Sequence, residues 1–350
     1  MSKNKSANNF NLLRLVAAYM VLYWHAYALY PDAMGKPNYF GQMSLGAVAV
    51  YVFFSISGYL IYKSWLADPN IWRYLLRRSL RIFPALFVVI VISAIILGPL
   101  VGDLPIGSYY SSYGILQYLK NIGLYPVYLL PGVFSTNHYP SAVNGSIWSL
   151  PIEFFMYLVL LTAGVIFREG LKWGLLILLI LFILSYYLFA NTGAIVFYGV
   201  DLRQIPPNGI FFIVGAIIAA FNLEKYLTLS GSFLAITLFI VVSNGIATQM
   251  LSWVVVPYLS LAFGLQSSWL AERMKSIGDY SYGIYIYAFP VQQTTTYFFP
   301  QIPFIAHVCL DALITLIFSI VSWHYVEAVA LKYKPQKPIT LQSPSTGFKK

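Results

Sequence analysis

Long apolar stretches separated by short polar segments run through the whole chain. A helix needs about 20 such residues to cross a bilayer. The pattern predicts an all-α integral membrane protein. Residues 115–132 are also apolar, but Lys120, Pro126 and Pro131 interrupt them, so we expect this segment to be interfacial or re-entrant. About ten transmembrane helices are expected, at 10–31, 44–65, 82–101, 146–167, 172–190, 206–222, 229–244, 250–267, 279–299 and 304–331.

Composition agrees with this class. Of the 350 residues only 9% are charged, against about 25% in soluble domains, and the mean hydropathy is +0.72. The single cysteine, Cys309, excludes an internal disulfide and a multi-cysteine metal site, and we expect no metal. We expect residues 1–335 to form one polytopic domain and residues 336–350 to form a disordered cytoplasmic tail.

Lysines and arginines are distributed unequally between the two sides of the predicted membrane protein. With ten spans, the termini and the loops on their side hold 17 of the 21, the opposite loops hold 3, and Arg14 lies inside the first span. Because positive residues favour the cytoplasmic side, both termini are predicted to be cytoplasmic, in the inner or plasma membrane. The net charge of +10 reflects this topology, and nucleic-acid binding is excluded because no basic soluble domain is predicted.

The first span, FNLLRLVAAYMVLYWHAYAL, carries Arg14 and His25. A charged residue inside the bilayer costs about 2.5–3.5 kcal/mol, so each such residue is a functional candidate. Eleven residues of helix bring the two side chains to one face, about 16 Å apart along the axis. Arg14 would lie near the cytoplasmic end and His25 in the outer half. The alternatives are a snorkelling Arg14 and a packed, hydrogen-bonded His25.

Glu153 lies in the segment VNGSIWSLPIEFFMY, which we expect to enter the membrane from the outer side. At 1.5 Å per residue, Glu153 and His25 would each lie about 9 Å below the outer helix ends. A histidine beside a carboxylate is the usual construction of an oriented general base. The alternative is a structural hydrogen bond or ion pair of Glu153.

The predicted cytoplasmic loop KSWLADPNIWRYLLRRSLRIFP places Arg73, Arg77, Arg78 and Arg81 at helical spacing. Such a helix either lies on anionic lipid or binds phosphate groups, since guanidinium groups bind phosphate with two parallel hydrogen bonds. The second interpretation predicts a phosphate clamp made of Arg77, Arg78 and Arg81.

The other polar residues in predicted spans are weaker candidates. We interpret His307 with Asp311, and His324 with Glu327, as structural pairs, and His138 as a surface residue. Ser55, Ser57 and Gly58 either line a groove or allow close helix packing. The tyrosines of the segment 102–145 either stack on sugar rings or form an interfacial aromatic belt: Tyr109, Tyr110, Tyr113, Tyr118, Tyr125, Tyr128 and Tyr139.

These segments together resemble the membrane-bound acyltransferase 3 family, the ten-span O-acyltransferases of surface polysaccharides. The resemblance covers most of the chain and rests on the first span, then VFFSISGYLI, RRSLRIFP, VNGSIWSLPIEFFMY and GDYSYGIYIYAFP, in that order. It implies that Arg14 and His25 are the family's Arg-x10-His pair, that Arg78 and Arg81 are its R-x-x-R, and that Glu153 is its carboxylate. The chain departs from the family at Ala288, where many members have histidine, and at Val329, where proline is common.

The resemblance implies transfer of an acyl group, acetyl in the commonest case, from cytoplasmic acyl-CoA to a hydroxyl of a surface or lipid-linked glycan. His25 would act as general base or accept the acyl group itself, and Glu153 would orient it. The expected partners are therefore the lipid bilayer and a glycan or lipid-linked oligosaccharide acceptor. The alternatives are a transporter or proton-coupled carrier that uses Arg14, His25 and Glu153 as an ion relay, and a non-catalytic scaffold.

Overall fold

The computed structural model describes residues 8–30, 43–242 and 245–337, and most of them are helical. The regular strands within these ranges are β1 (Val196–Phe197) and β2 (Val200–Asp201), which pair antiparallel as a hairpin. The α-helices are α1 (Phe10–Leu29), α2 (Leu45–Ala67), α3 (Ile71–Ile92), α4 (Gly98–Val101), α5 (Ile106–Tyr110), α6 (Tyr113–Leu119), α7 (Ser149–Phe167), α8 (Leu171–Phe189), α9 (Ile205–Ala220), α10 (Leu229–Val241), α11 (Gly245–Gly264), α12 (Trp269–Ile277), α13 (Ser281–Phe298), α14 (Phe304–Ser322) and α15 (Ala328–Lys332). The predicted all-α class is confirmed. Most of the predicted tail, from residue 338 onward, lies outside the described residues.

Seven helical stretches of the described chain are long and apolar enough to cross a membrane. One of them, Ser146–Phe189, contains both α7 and α8, which are separated at Arg168, whose φ of 45° interrupts the helix. The helix α10 is apolar but shorter. A helix lies in each of the ten predicted segments, and the chain is a multi-pass membrane protein. The count of ten spans and the side of the termini stay predictions.

The third predicted span begins earlier than its apolar stretch. The helix α3 starts at Ile71, where the side chain of Asn70 accepts a hydrogen bond from the Arg73 amide and caps the helix. The arginine-rich segment is therefore not a separate loop, and it continues into the span without a break. All four arginines stand on the first three turns of one rigid helix, which fixes their spacing.

Close helix packing holds α2 in the centre of the molecule, against α1, α9 and α11. A Cβ atom on Gly58 would lie 1.8 Å from the carbonyl oxygen of Phe212 in α9, and one on Gly215 would lie 2.1 Å from that of Ser55. Small residues allow membrane helices to approach to backbone contact. Gly58 therefore has the packing role that the sequence left open.

The segment 102–145 forms α5, α6 and irregular backbone that packs on α3 and α13. Pro290 inside α13 lacks an N–H, so the carbonyl of Ile286 has no donor within the helix. The side chain of Asn144 donates to that carbonyl at 2.9 Å, and the side chain of Asn137 donates to the carbonyl of Gln293 at the same distance. These bonds fix the segment on the helix that borders the candidate site.

Candidate active site

A cavity of about 300 Å³ lies among α1, α2, α3, α7 and α13. We call it the arginine cavity, because cations dominate the charged side chains that line it. The cations are Arg14, Arg77, Arg78, Arg81 and Lys334. Glu153 is the one carboxylate in the lining. The lining cations outnumber Glu153 and the carboxylates that pair with them, and this excess suits an anionic ligand.

Three of the lining arginines are neutralised by carboxylates. Arg77 pairs with Asp68 at 2.8 Å, and Asp279 accepts from Arg81 at 2.6 Å and lies 3.5 Å from Arg14. Hydrogen bonds from Arg73, with a further one from Arg77, hold the pKa of Asp68 well below its usual range. These pairs fix the guanidinium groups in place around the cavity.

Arg78 differs from its neighbours on α3. No carboxylate in the described ranges pairs with Arg78, and its guanidinium lies 6.0 Å from the ring centre of Tyr157. Its Nε, like that of Arg77, is buried without a hydrogen-bond partner. A buried guanidinium without a counter-ion is costly unless a ligand supplies one. Arg78 is therefore the group in this cavity that is best suited to bind an anion.

Glu153 lies in the arginine cavity. Its carboxylate accepts hydrogen bonds from the hydroxyl of Tyr157 and, at 3.4 Å, from that of Ser57. The helix α7 packs mainly on α8, α2, α3 and α9. The predicted pairing of Glu153 with His25 stays a prediction. Ser57 has the cavity-lining role that the sequence left open.

His25 lines a second cavity of about 240 Å³, which we call the histidine cavity. Its ring meets Phe289 edge to face at 5.2 Å between ring centres. Val50 and Tyr285 line both the histidine cavity and the arginine cavity, so the two adjoin. As predicted, Arg14 and His25 lie on one helix, and each faces one of the two cavities.

Glu327 belongs to the ion-pair network of the arginine cavity. Its carboxylate lies 3.6 Å from Arg81 and accepts a hydrogen bond from Ser322 at 3.1 Å. The predicted structural pair with His324 is wrong, since the imidazole of His324 lies 3.5 Å from the hydroxyl of Tyr280. The helix backbone is π-helical over Trp323–Glu327, and this changes which side chains share a face.

Outside the two cavities, the remaining candidates have structural contacts. His307 stacks on Tyr30 at 4.1 Å, and Asp311 accepts hydrogen bonds from Tyr30 and, at 2.6 Å, from Thr295. The predicted contact between His307 and Asp311 is therefore replaced by contacts that both make with Tyr30. His138 is exposed, as predicted.

The tyrosines of the segment 102–145 divide by burial. Tyr109 and Tyr118 are fully buried, and the hydroxyl of Tyr109 donates to the carbonyl of Ala94 at 2.8 Å, so both stabilise the fold. Tyr110, Tyr113 and Tyr139 are exposed. Tyr125 and Tyr128 are half-buried. Tyr125 packs edge to face on Tyr198, whereas Tyr128 lines a further cavity and is a candidate for ligand contact.

Sequence reasoning missed Asp279 as a site residue. It precedes α13 in the segment GDYS and accepts hydrogen bonds from the amide and hydroxyl of Ser281. An acidic residue directly before an apolar helix, on the predicted cytoplasmic side where arginines cluster, was the available signal. Only the packing of α13 against α1 and α3 shows which arginines it meets.

The chain is similar to known proteins over most of its length. The model of the acyltransferase domain family matches residues 8–324. An O-acetyl transferase of Shigella phage Sf6 is 33% identical over 326 residues, which cover 92% of this chain and 95% of the relative. Nodulation protein 10 of Rhizobium leguminosarum bv. viciae is 28% identical over 361 residues, covering 93% and 94% of the two chains. No solved structure matches.

Proposed function

Because the chain belongs to the acyltransferase 3 family, we propose that it is a membrane O-acyltransferase that moves an acetyl group from acyl-CoA to a hydroxyl of a surface or lipid-linked glycan. The name of the phage relative, an O-acetyl transferase, supports the acetyl group. We place the enzyme in the inner or plasma membrane, as one polytopic domain over residues 1–335.

The unpaired guanidinium of Arg78 carries the proposal for the donor. CoA bears several phosphate groups, and an arginine binds phosphate with two parallel hydrogen bonds. In our proposal Arg78 binds these phosphates with Arg81 and Arg77, whose carboxylate partners keep them oriented. Arg14 adds a positive charge at the cytoplasmic end of α1. Ion-pair networks of this kind preorganise a site before the ligand arrives.

The acyl end of the donor then reaches the junction at Tyr285 and Val50, beyond which lies His25. As general base, His25 takes the proton of the acceptor hydroxyl while the hydroxyl oxygen attacks the thioester carbonyl. The C–S bond breaks, and CoA leaves as the thiol after taking up a proton. As covalent carrier, His25 would first accept the acyl group and the hydroxyl would then attack the acyl-imidazole. In both routes Glu153 lies in the arginine cavity, where its negative charge stabilises the neighbouring guanidinium groups.

Binding of acetyl-CoA to detergent-purified protein tests the donor site. A charge-assisted hydrogen bond contributes about 1.5–3 kcal/mol, so Arg78→Ala should weaken binding by about 10- to 150-fold. Arg78→Lys should restore binding only in part, because the planar fork is lost. Arg73→Ala is the matched control, since Arg73 stands on the same helix, pairs with Asp68 and does not line the cavity.

The reaction itself is tested by release of free thiol from acetyl-CoA in the presence of glycolipid extracted from the producing membranes. We expect release that depends on both substrates. Wild-type binding of acetyl-CoA by Arg78→Ala would show that the arginine helix binds lipid instead, and thiol release without acetylated glycolipid would rule out the glycan as acceptor.

A further inference from the structure

A third cavity adjoins the histidine cavity. It has a volume of about 360 Å³ and lies against the β1–β2 hairpin, so we call it the hairpin cavity. Its lining includes Tyr128, Asp201, Trp148 and Gln204. Because Trp148 and Gln204 also line the histidine cavity, the two cavities adjoin at these side chains. The hairpin cavity, the histidine cavity and the arginine cavity therefore follow one another in series.

The histidine cavity holds a buried polar atom without a partner. Asn208 in α9 is 2% exposed, and its side-chain nitrogen donates to the carbonyl of Gln204 at 2.7 Å. Its side-chain oxygen is buried and has no hydrogen-bond partner. An unsatisfied buried oxygen costs about 1–3 kcal/mol, a cost that a ligand hydroxyl would remove. Asn208 is therefore built to accept a hydrogen bond from something that enters this cavity.

The chemical character of the two cavities fits a sugar. The indole of Trp148 at their junction and the phenol of Tyr128 offer flat apolar faces, while Asn208, Gln204 and Asp201 offer hydrogen-bond acceptors. A sugar ring presents C–H groups on its faces and hydroxyls at its edge, so it needs both kinds of surface. The lining carries no arginine or lysine, which distinguishes it from the arginine cavity.

From these observations we propose that the acceptor sugar enters through the hairpin cavity, passes Trp148 and Gln204, and binds in the histidine cavity with one hydroxyl donating to Asn208. Asn208 is a positioning residue that orients the sugar so that a second hydroxyl faces His25. This inference rests on the proposed acyl transfer. It adds the route by which the acceptor enters and Asn208 as the residue that orients the sugar. The donor and the acceptor would then approach each other from opposite ends of the series.

Substitution of Asn208 by leucine tests the positioning role. Leucine has a similar volume and no polar atom, so removing the unsatisfied oxygen should leave the melting temperature of the protein unchanged or raise it. Acetyl-CoA binding should stay at the wild-type value. The glycolipid concentration that gives half-maximal acetyl transfer should rise about tenfold, the value of one lost hydrogen bond. Thr237→Leu is the control, because Thr237 in α10 is exposed and lines neither the hairpin cavity nor the histidine cavity.

Unchanged glycolipid dependence of Asn208→Leu would remove Asn208 from the acceptor site. A fall in melting temperature together with loss of acetyl-CoA binding would show a purely structural role and would also overturn the proposal. Each result is read against wild-type protein in the same membranes.

Alkylation of a cysteine at position 204 tests the route without the reaction. In a Cys309→Ser background, Gln204→Cys should react with a maleimide, since Gln204 is exposed. Extracted glycolipid, without acetyl-CoA, should slow this reaction at least fivefold, and phospholipid freed of glycolipid should not. Protection without acetyl transfer would keep the route and refute the proposed function. Acetyl transfer without protection would keep the proposed function and refute the route.

Discussion

Side chains that line the arginine cavity and the histidine cavity differ in whether the protein itself supplies their charge or hydrogen-bond partners. Arg81 and Arg77 have carboxylate partners, whereas Arg78 has none within the described part of the chain. The side-chain oxygen of Asn208 has no hydrogen-bond donor there. Satisfied groups define the shape of a site, and unsatisfied groups await a ligand. On this basis our proposal assigns Arg78 to the donor and Asn208 to the acceptor, and it assigns the paired arginines mainly to preorganisation.

His25→Ala should reduce acetyl transfer to glycolipid by at least about a hundredfold, the usual contribution of a general base. Acetyl-CoA binding should be unchanged, because His25 lies about 16 Å along α1 from Arg14 and does not line the arginine cavity. Radiolabelled acetyl transfer and equilibrium binding measure the two effects. His138→Ala, at an exposed site, is the control, and substantial transfer by His25→Ala would exclude His25 from the mechanism.

Lys334 predicts a pH dependence of donor binding. Burial, with added repulsion from Arg81 and Arg78, lowers the pKa of Lys334 to about 8. Its charge is present below that pH and is lost as the pH rises through it, so phosphate binding should weaken about two- to fivefold between pH 7 and pH 9. Calorimetry with acetyl-CoA at both pH values should show this change in wild type.

Lys334→Gln should bind acetyl-CoA equally at the two pH values. Lys337→Gln should keep the wild-type pH dependence, since Lys337 does not line the cavity and instead donates to the carbonyl of Ala67. A pH dependence that survives in Lys334→Gln would assign the titration to another group.

The sequence predicted which residues of one helix share a face better than it predicted contacts between helices. The periodicity of one helix brings Arg14 and His25 to the same side, and this needs no knowledge of other helices. The partner of Glu153 depends on which helix α7 packs against, and the partner of Arg81 depends on the position of Asp279 on a distant loop. Hydrophobic pattern sets depth in the membrane, but it does not set helix order around the core.

Among the helices, α2 and α9 form the closest pair. Gly58→Ala would put a methyl group on the backbone of Phe212, so the helices must move apart and the Ser57 hydroxyl would move away from Glu153. We expect a loss of at least about 1–3 kcal/mol in stability and a lower melting temperature in detergent. Gly107→Ala is the control, because a Cβ there meets no atom within 4 Å.

A Gly58→Ala protein that melts like wild type would mean that α2 and α9 are not in backbone contact.

The predicted and observed helices agree in position because long apolar stretches determine them directly. The continuity of the arginine-rich helix with the third span was missed because four arginines in the first three turns of α3 lower the hydropathy there, so hydropathy alone starts the span at residue 82.

For the whole molecule, the uneven distribution of lysine and arginine predicts its orientation in the membrane, with both termini on the cytoplasmic side. In a Cys309→Ser background, cysteines at Asn8 and Ser345 should react with an impermeant reagent only after the membrane is opened, and a cysteine at Ser141 should react in intact cells. Ser345 lies outside the described residues. Opposite labelling at positions 8 and 345 would mean an odd number of spans and would change the assignment of the cavities to the two sides.

The shared wall of the arginine cavity and the histidine cavity has a consequence for the cell as well as for the reaction. If the two cavities face opposite sides as the lysine and arginine distribution predicts, Tyr285 and Val50 stand between two water-accessible vestibules. The enzyme must pass an acyl group across this wall without passing protons or sodium ions, because an ion leak would dissipate the membrane potential. With that orientation, Tyr285 and Val50 would also have to block ions, and their side chains would be constrained by the energetics of the membrane in addition to those of catalysis.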